Sequence, residues 1–350
     1  GQRENSTTLY DIIDRTTTPM GGRLLHRWLA FPLKDVRAIR NRQTVVEYLF
    51  RHPEEREIIR ENLERIMDME RIVGKISTGR ISPREMVQLS VALNCIAPIK
   101  QICESATDNS YLRLLGEQLS LCSEMCERIQ REITPDPPAV QGRPNTIARG
   151  VNAELDELRD IQAHGKERLL QIQQREIDAT GIQSLKIGYN NVFGYYLEVR
   201  NTYKDQVPET WIRKQTLGNA ERYITEELKE YEQKILGAEE RIYALESQIY
   251  GELVATIQAN IAGIQKNCRI LSRLDVLSGF AELALSNRYC RPKMDDSKVI
   301  DIKDGRHPVV EKMIPNDMFI TNDTYLNDRK KRISIITGPN MAGKSTYMRQ

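Results

Sequence analysis

A mainly α-helical fold is predicted, with a multi-helix core, two long antiparallel helices carrying a small β-rich module, and the start of an α/β nucleotide-binding domain. Three observations predict it. Apolar residues recur at helical spacing over most of the chain, a heptad seam runs from Leu228 to Ile249, and the last residues read as a strand entering a phosphate-binding loop. Of the 350 residues 29% are charged and only 6% aromatic, a balance that suits long solvated helices better than a β sandwich. An apolar content of 40% can fill sizeable cores, and the length suggests two or three domains. The 51 basic residues nearly balance the 49 acidic ones, so any contact with nucleic acid must come from a local patch.

From Thr8 to about Arg131, amphipathic helices are broken by turn signals at Thr18-Pro19-Met20-Gly21-Gly22, Phe31-Pro32, His52-Pro53 and Ser82-Pro83. Leu24, Leu25, Trp28 and Leu29 make one apolar face, and Val45, Val46, Leu49 and Phe50 make another. Thr134-Pro135-Asp136-Pro137-Pro138 through Gly142-Arg143-Pro144 cannot be helical and marks the end of this helical region at about residue 150. The cysteines, Cys95, Cys103, Cys122, Cys126, Cys268 and Cys290, form no Cys-x-x-Cys pair and read as reduced core thiols. Cys122 and Cys126 lie one helical turn apart but lack the histidine pair of a metal site. No secretory segment or membrane-length apolar run stands out, which points to the cytosol.

Val151, Leu155 and Leu158 open a long helix that continues through Leu169 and Ile172 to about Ala179, roughly 45 Å at 1.5 Å per residue. A helix of that length needs a partner. Leu228, Tyr231, Ile235, Ala238, Ile242, Leu245 and Ile249 supply one, spaced alternately three and four residues apart. Thr225-Glu226-Glu227 gives this return helix a cap and an acidic first turn. Its flanking charges, among them Lys229, Glu230, Glu239, Glu240 and Arg241, read as a solvated face.

Between the two arms lie β-rich runs, Ser184–Tyr189 and Val192–Val199, with Asn190-Asn191 as a hairpin turn. Two more follow at Thr210–Gln215 and Ala220–Thr225. The charges of this module, Lys186, Arg200, Lys204, Arg213, Lys214 and Arg222 against Glu198, Asp205, Glu209 and Glu221, are mildly basic. Arg213-Lys214, beside Gln215 and Asn219, is the densest cluster able to hydrogen-bond a phosphate. A polar edge that blocks sheet aggregation explains the same residues equally well.

At the end of the chain, Arg332–Thr337 reads as a buried strand leading into Gly338-Pro339-Asn340-Met341-Ala342-Gly343-Lys344-Ser345-Thr346 and a helix start. That order aims backbone N–H groups at phosphate oxygens, with Lys344 on the outer phosphates and Ser345 on Mg²⁺. Such a core needs further parallel strands and an acidic residue for the metal. The residues up to Gln350 contain neither, so this stretch alone is expected to give no ATP turnover.

Six segments in order carry a family resemblance: Asp14-Arg15-Thr16 with Met20–Leu25, Ala153–Arg159, Gly188-Tyr189 through Gly194-Tyr195-Tyr196, Gln215–Leu217 with Asn219–Tyr223, Gly305–Glu311, and Thr337–Arg349. Together they resemble the MutS family of bacterial DNA mismatch-repair ATPases. The resemblance implies a helical core over 1–150, an ascending lever helix over 151–181, and a β-rich DNA clamp over 182–224. A return lever with the rest of the core would then occupy 225–290, and the first part of a P-loop ATPase domain 291–350. It implies that Phe319 stacks on adenine with Ile320 beside it, and that Asn340 and Met341 to Gly343 wrap the phosphates. Gly338, Pro339, Lys344, Ser345 and Thr346 would complete the site. Without the resemblance, Phe319 reads as a core residue, and His307, in a turn before proline, is no evident catalytic base. ATP or ADP and Mg²⁺ are implied as cofactors of the intact protein rather than of this stretch alone.

Lys186, Asn190, Lys204, Arg213, Lys214, Asn219 and Arg222 are the clamp candidates for phosphate contact. Implied partners are duplex DNA, mismatched for the intact protein, a second copy in a homodimer, and downstream mismatch-repair proteins, in the bacterial cytoplasm and away from membranes. The mismatch-reading domain, the connector after it, the signature motif and the helix-turn-helix tail of the family are not among these 350 residues. Two other readings share the features. A structural coiled-coil arm protein would carry the loop incidentally, and ATPases of the chromosome-maintenance type place the loop before the coil rather than after it.

Overall fold

Thr18 accepts a hydrogen bond from the Gly21 N–H with Pro19 at the first helical position, so the predicted turn is the cap of a helix. Asp35 and Asn109 cap later helices through Ala38 and Leu112 in the same way. In the computed structural model, which describes residues 6–315, 318–339 and 341–350, the first part of the chain is helical throughout. It runs through α1 (Leu9–Ile13), α2 (Pro19–Ala30), α3 (Val36–Arg51), α4 (Pro53–Ile66), α5 (Met69–Ser77), α6 (Pro83–Asn94), α7 (Ile96–Ser105), α8 (Ser110–Gln118) and α9 (Ser123–Glu132). Next come α10 (Ala153–Thr180), strands β1 (Lys186–Asn190), β2 (Gly194–Arg200), β3 (Ile212–Thr216) and β4 (Ala220–Ile224), then α11 (Glu226–Ala259) and α12 (Ile261–Asn287). Strand β5 (Ile300–Gly305), α13 (Val310–Met313), β6 (Asn322–Leu326) and α14 (Lys344–Arg349) complete the order.

The chain forms two compact units. One contains the residues up to Gly74, Val91–Ser123 and everything from Asn260 onward. Its centre is α12, whose Ile264, Leu271, Leu274, Val276 and Leu277 are buried and which packs on α2, α3, α4 and α8. Asp275 of α12 is fully buried and accepts from the backbone N–H and hydroxyl of both Thr17 and Thr18 at 2.5–3.1 Å. Burial pushes its carboxyl above the ordinary range while these bonds pull it back. The same residue leaves no room for a side chain at Gly21.

The predicted apolar faces are only partly buried in this unit. Leu25, Val45 and Leu49 are inside, whereas Leu29 and Phe50 are exposed. They line an apolar groove of about 540 Å³ with Trp28 and Val46. The cysteines divide likewise: Cys95, Cys103, Cys126 and Cys268 are buried, but Cys122 is half-buried and Cys290 exposed, so two of the six are not core thiols. Cys122 precedes α9 with φ 50° rather than sharing a helix with Cys126. No cluster of metal-binding side chains occurs among the described residues.

The other unit contains Lys75–Ser90 and Glu124–Ala259. Glu154 of α10 pairs with Arg241 of α11 at 2.7 Å, Gly165 lies against Tyr231 and Ile235, and Arg175 pairs with Glu227, so numbers rise on α10 as they fall on α11 and the two helices are antiparallel. The heptad residues Leu228, Ala238, Ile242 and Leu245 are buried as expected, and Glu239, Glu240 and Arg241 are exposed. Gly165 lets the helices approach, since a β-carbon there would lie 3.3 Å from the Tyr231 hydroxyl and 3.4 Å from Ile235.

The proline-rich stretch is not an open connector. Ile133 bridges Ile147, closing it into a loop, and the Glu246 carboxylate accepts from the N–H groups of Asn145, Thr146 and Ile147 at 3.0–3.1 Å. Prolines forbid helix, but they leave these three donors free, and one buried carboxylate satisfies them.

Another expectation changes with the membrane-length run. Residues Pro83–Ser105 are long and apolar enough to qualify, with a mean hydropathy of 1.3. They are interrupted between α6 and α7, and half of the apolar window is buried inside the fold.

Candidate functional site

The small module is one antiparallel sheet in the order β1-β2-β4-β3. Its hairpin turn is longer than Asn190-Asn191: Asn190 pairs with Gly194, leaving Asn191, Val192 and Phe193 as the loop. Gly194 sits at φ 82°, a conformation only glycine adopts at little cost, and this adds the extra residue to the turn. One sheet face, with Leu197, Val199 and Tyr223, closes a core against Ile172 and Ile177 of α10 and Leu228 of α11.

The strand register aligns Lys186, Glu198, Arg222 and Gln215 across the four strands. Arg222 is held there from three sides: its Nε lies 3.0 Å from Glu198, it donates to Gln215 at 2.9 Å, and its guanidinium sits 4.4 Å from the centre of the Tyr196 ring. Two of its five N–H donors are thus used inside the sheet. Asn190 is likewise engaged, accepting from the Val192 N–H at 2.8 Å. Lys186, Lys204, Lys214 and Asn219 are exposed, and among the described residues no ion pair holds the three lysines.

Arg213 is 61% exposed and lies 3.3 Å from Glu221. The Tyr223 hydroxyl and Arg213 hold the Glu221 carboxyl below its ordinary value, and burial followed by the bond to Glu221 pushes the Tyr223 phenol up to about 12. The register shifts between Arg213 and Gln215, so Lys214 is a bulge on the edge strand β3. A bulge beside lysine is a device that prevents edge-to-edge pairing.

Lys214 also lines a pocket of about 250 Å³ with Lys229, Glu232, Phe193 and Tyr195. Sequence reading placed Lys229 on a solvated face. Its position one turn into α11, directly after β4, was the signal that could have brought it to the sheet.

The nucleotide-loop candidates are distributed differently from expectation. Arg332–Thr337 is not a strand: Ile333 and Ile335 are 85% and 87% exposed. A parallel inner strand needs ladder partners on its flanks, and β5 and β6 pair with each other instead. The loop behind it does turn into a helix, α14, with Gly343 at φ 84° as its cap. Gly338, Pro339, Met341, Ala342 and Ser345 are exposed, Lys344 and Thr346 half-buried, and Asn340 lies outside the described residues.

The Lys344 ammonium donates to the Gly338 carbonyl at 3.5 Å, folding over the loop. The Tyr347 hydroxyl meets Thr324 of β6 at 2.9 Å, which attaches α14 to the hairpin. Phe319 is half-buried with the Arg306 guanidinium 4.8 Å from its ring centre, and Ile320 is 82% exposed. His307 accepts from the Val309 and Val310 N–H groups and so serves as a local cap.

Residues 1–281 match the family model for MutS domain III, a span that contains the helical unit's centre, the paired helices and the sheet. The chain belongs to the MutS domain III family. Its similarity to named MutS proteins extends further: the DNA mismatch repair protein MutS of Parabacteroides distasonis is 56% identical over 348 residues, covering 99% of this chain and 40% of the relative. The MutS proteins of Phocaeicola vulgatus and Flavobacterium johnsoniae are 58% and 50% identical, again over 99% of this chain and 40% of their own length. The chain thus spans about 40% of the length of the curated MutS relatives it matches.

Proposed function

We propose that this chain is the central part of a bacterial, cytoplasmic DNA mismatch-repair protein, and that its four-stranded sheet is a clamp tracking the phosphate backbone of duplex DNA. The observation that carries this reading is the mounting of the sheet. Antiparallel α10 and α11 hold it through a closed core, while Lys186, Lys204, Lys214 and Asn219 remain exposed on it and the exposed Arg213 needs only to exchange its one carboxylate partner, Glu221. Arg222 and Asn190 stay among the proposed contacts: Arg222 uses two of its five N–H donors within the sheet, and the bond at Asn190 is accepted by the amide oxygen and not made by its NH₂ group. Contacts of this kind position a protein without reading bases.

The loop from Gly338 to Thr346 fits a phosphate chain. Gly343 has the left-handed backbone that a tight turn into a helix needs, and Lys344 already satisfies itself on a loop carbonyl that a phosphate would replace. Backbone N–H groups of 341–343 and Lys344 would hold the phosphates, the Ser345 hydroxyl would meet Mg²⁺, and Phe319 and Ile320 would flank the base. Bound Mg-ATP supplies phosphoryl-transfer chemistry. The role of α10 and α11 as levers that connect nucleotide state to the clamp belongs to the same proposal, as do homodimerisation and downstream repair partners.

The test is fluorescence anisotropy with matched and mismatched duplexes, comparing the chain with Lys186→Glu/Lys204→Glu. The expected result is weaker binding by tenfold or more, equal on both duplexes. Unchanged affinity in a folded double variant leaves edge protection as the role of these charges.

A further inference from the structure

Helix α2 places Arg23 and Arg27 one turn apart, α12 places Arg269 and Arg273 one turn apart, and the two helices pack together. All four arginines line one pocket of about 190 Å³, whose floor includes Ser272 and whose rim includes Glu70. Like charges one turn apart destabilise a helix, and here two such pairs face the same space.

Only Arg23 has its charge met: it binds Asp68 at 2.7–3.0 Å and Glu70 at 2.5–2.9 Å. That pairing also neutralises Glu70, the one carboxylate in the pocket. Arg27, Arg269 and Arg273 are exposed and make no ion pair among the described residues. In the same unit Arg40, Arg56, Arg60 and Arg291 are engaged by carbonyls or carboxylates, whereas three guanidiniums without such partners among the described residues line this one pocket.

We infer that this α2–α12 pocket is an anion site for a phosphate group, separate from the phosphate loop at Gly338–Thr346. Guanidinium forks match tetrahedral oxyanions two bonds at a time. The pocket has the volume for one or two phosphoryl groups and is too small for a peptide helix. The buried Met20 and half-buried Leu24 give the pocket an apolar wall beside the guanidiniums. A free polyphosphate or nucleotide and the backbone phosphate of nucleic acid share this chemistry.

The experiment titrates inorganic pyrophosphate into the chain carrying Lys344→Ala, which removes the phosphate loop's lysine, with calorimetry and thermal unfolding as readouts. Binding that raises the unfolding temperature is expected, weakening by about tenfold for each guanidinium lost in Arg269→Gln and Arg273→Gln. Arg269→Lys/Arg273→Lys keeps the charge without the fork and should fall between. Competition then names the source: displacement by ATP points to free nucleotide, displacement by a short duplex to backbone phosphate. Absence of pyrophosphate binding in the Lys344→Ala chain, or equal affinity after both arginines are replaced, overturns the inference. The exposed positions make loss of folding by these variants readable as a separate change in the unfolding transition without ligand.

Discussion

The Arg159 guanidinium of α10 lies 2.6 Å from the Glu246 carboxylate of α11, and both side chains are largely buried, at 12% and 4% exposure. The same carboxylate gathers three consecutive N–H groups of the proline-rich loop. Two helices and a loop therefore meet on one charge. Replacing Glu246 with Gln leaves Arg159 only the more distant Asp156 carboxylate, 3.6 Å away, and is expected to destabilise the chain by about 3 kcal/mol, the scale of breaking a buried pair from one side. Urea unfolding measures it. A loss below about 1 kcal/mol would mean that the carboxylate is not the organising group.

Gly165 separates two explanations of the paired helices. Alanine there gains helix propensity of about 1 kcal/mol and meets Tyr231 and Ile235 at tight but tolerable distances, so its net effect should stay within about 1 kcal/mol. Leucine must push α11 away and should cost about 1–3 kcal/mol. Thermal unfolding of both variants checks this, and a harmless leucine would show that the helices do not approach here.

Asp275 receives two backbone N–H groups on its two oxygens. An asparagine has one oxygen for them and turns an NH₂ group toward the other donor, so Asp275→Asn is expected to cost about 1–3 kcal/mol despite its shape. Hydrogen exchange at Thr17 and Thr18 should quicken with it. Unchanged protection there would contradict the assignment.

The pairs Arg23–Asp68 and Arg175–Glu227 hold both carboxyls below their ordinary values of 3.8 and 4.5. A carboxyl with a depressed folded pKa stabilises fully above its unfolded pKa, and that contribution is lost as pH falls through the folded value. Stability should be level down to about pH 5 and then decline. In Asp68→Asn/Glu227→Gln the decline should be shallower. An identical acid limb in urea titrations would remove these pairs from the account.

The paired helices were legible because a seam repeating every seven residues admits few other structures, and the turn signals were legible because Thr18 caps α2 and Pro19, Pro53 and Pro83 open helices at their first position. Glu246 was not, since a glutamate beside the seam looks like its exposed neighbours Glu239 and Glu240 until the loop folds onto it. Arg213 and Arg222 could not be told apart from sequence. Register decides that Arg222 lies between Glu198 and Gln215 while Arg213 sits at an edge. The apolar run at Ile333–Ile336 carries a strand pattern, but a strand exists only through its neighbours, and none among the described residues pairs with it.

The most direct test of the central claim is the salt dependence of duplex binding with and without Arg213 and Lys214, measured in the chain and in the longer protein that contains it. If both side chains neutralise phosphates, Arg213→Ala/Lys214→Ala should lower affinity equally on matched and mismatched duplexes. It should also flatten the log-affinity against log-salt slope by about 1.8. Stability should shift by no more than about 0.5 kcal/mol. An unchanged slope in a normally folded variant would contradict the clamp account at these residues and leave the bulged, lysine-bearing β3 as an edge protected from pairing.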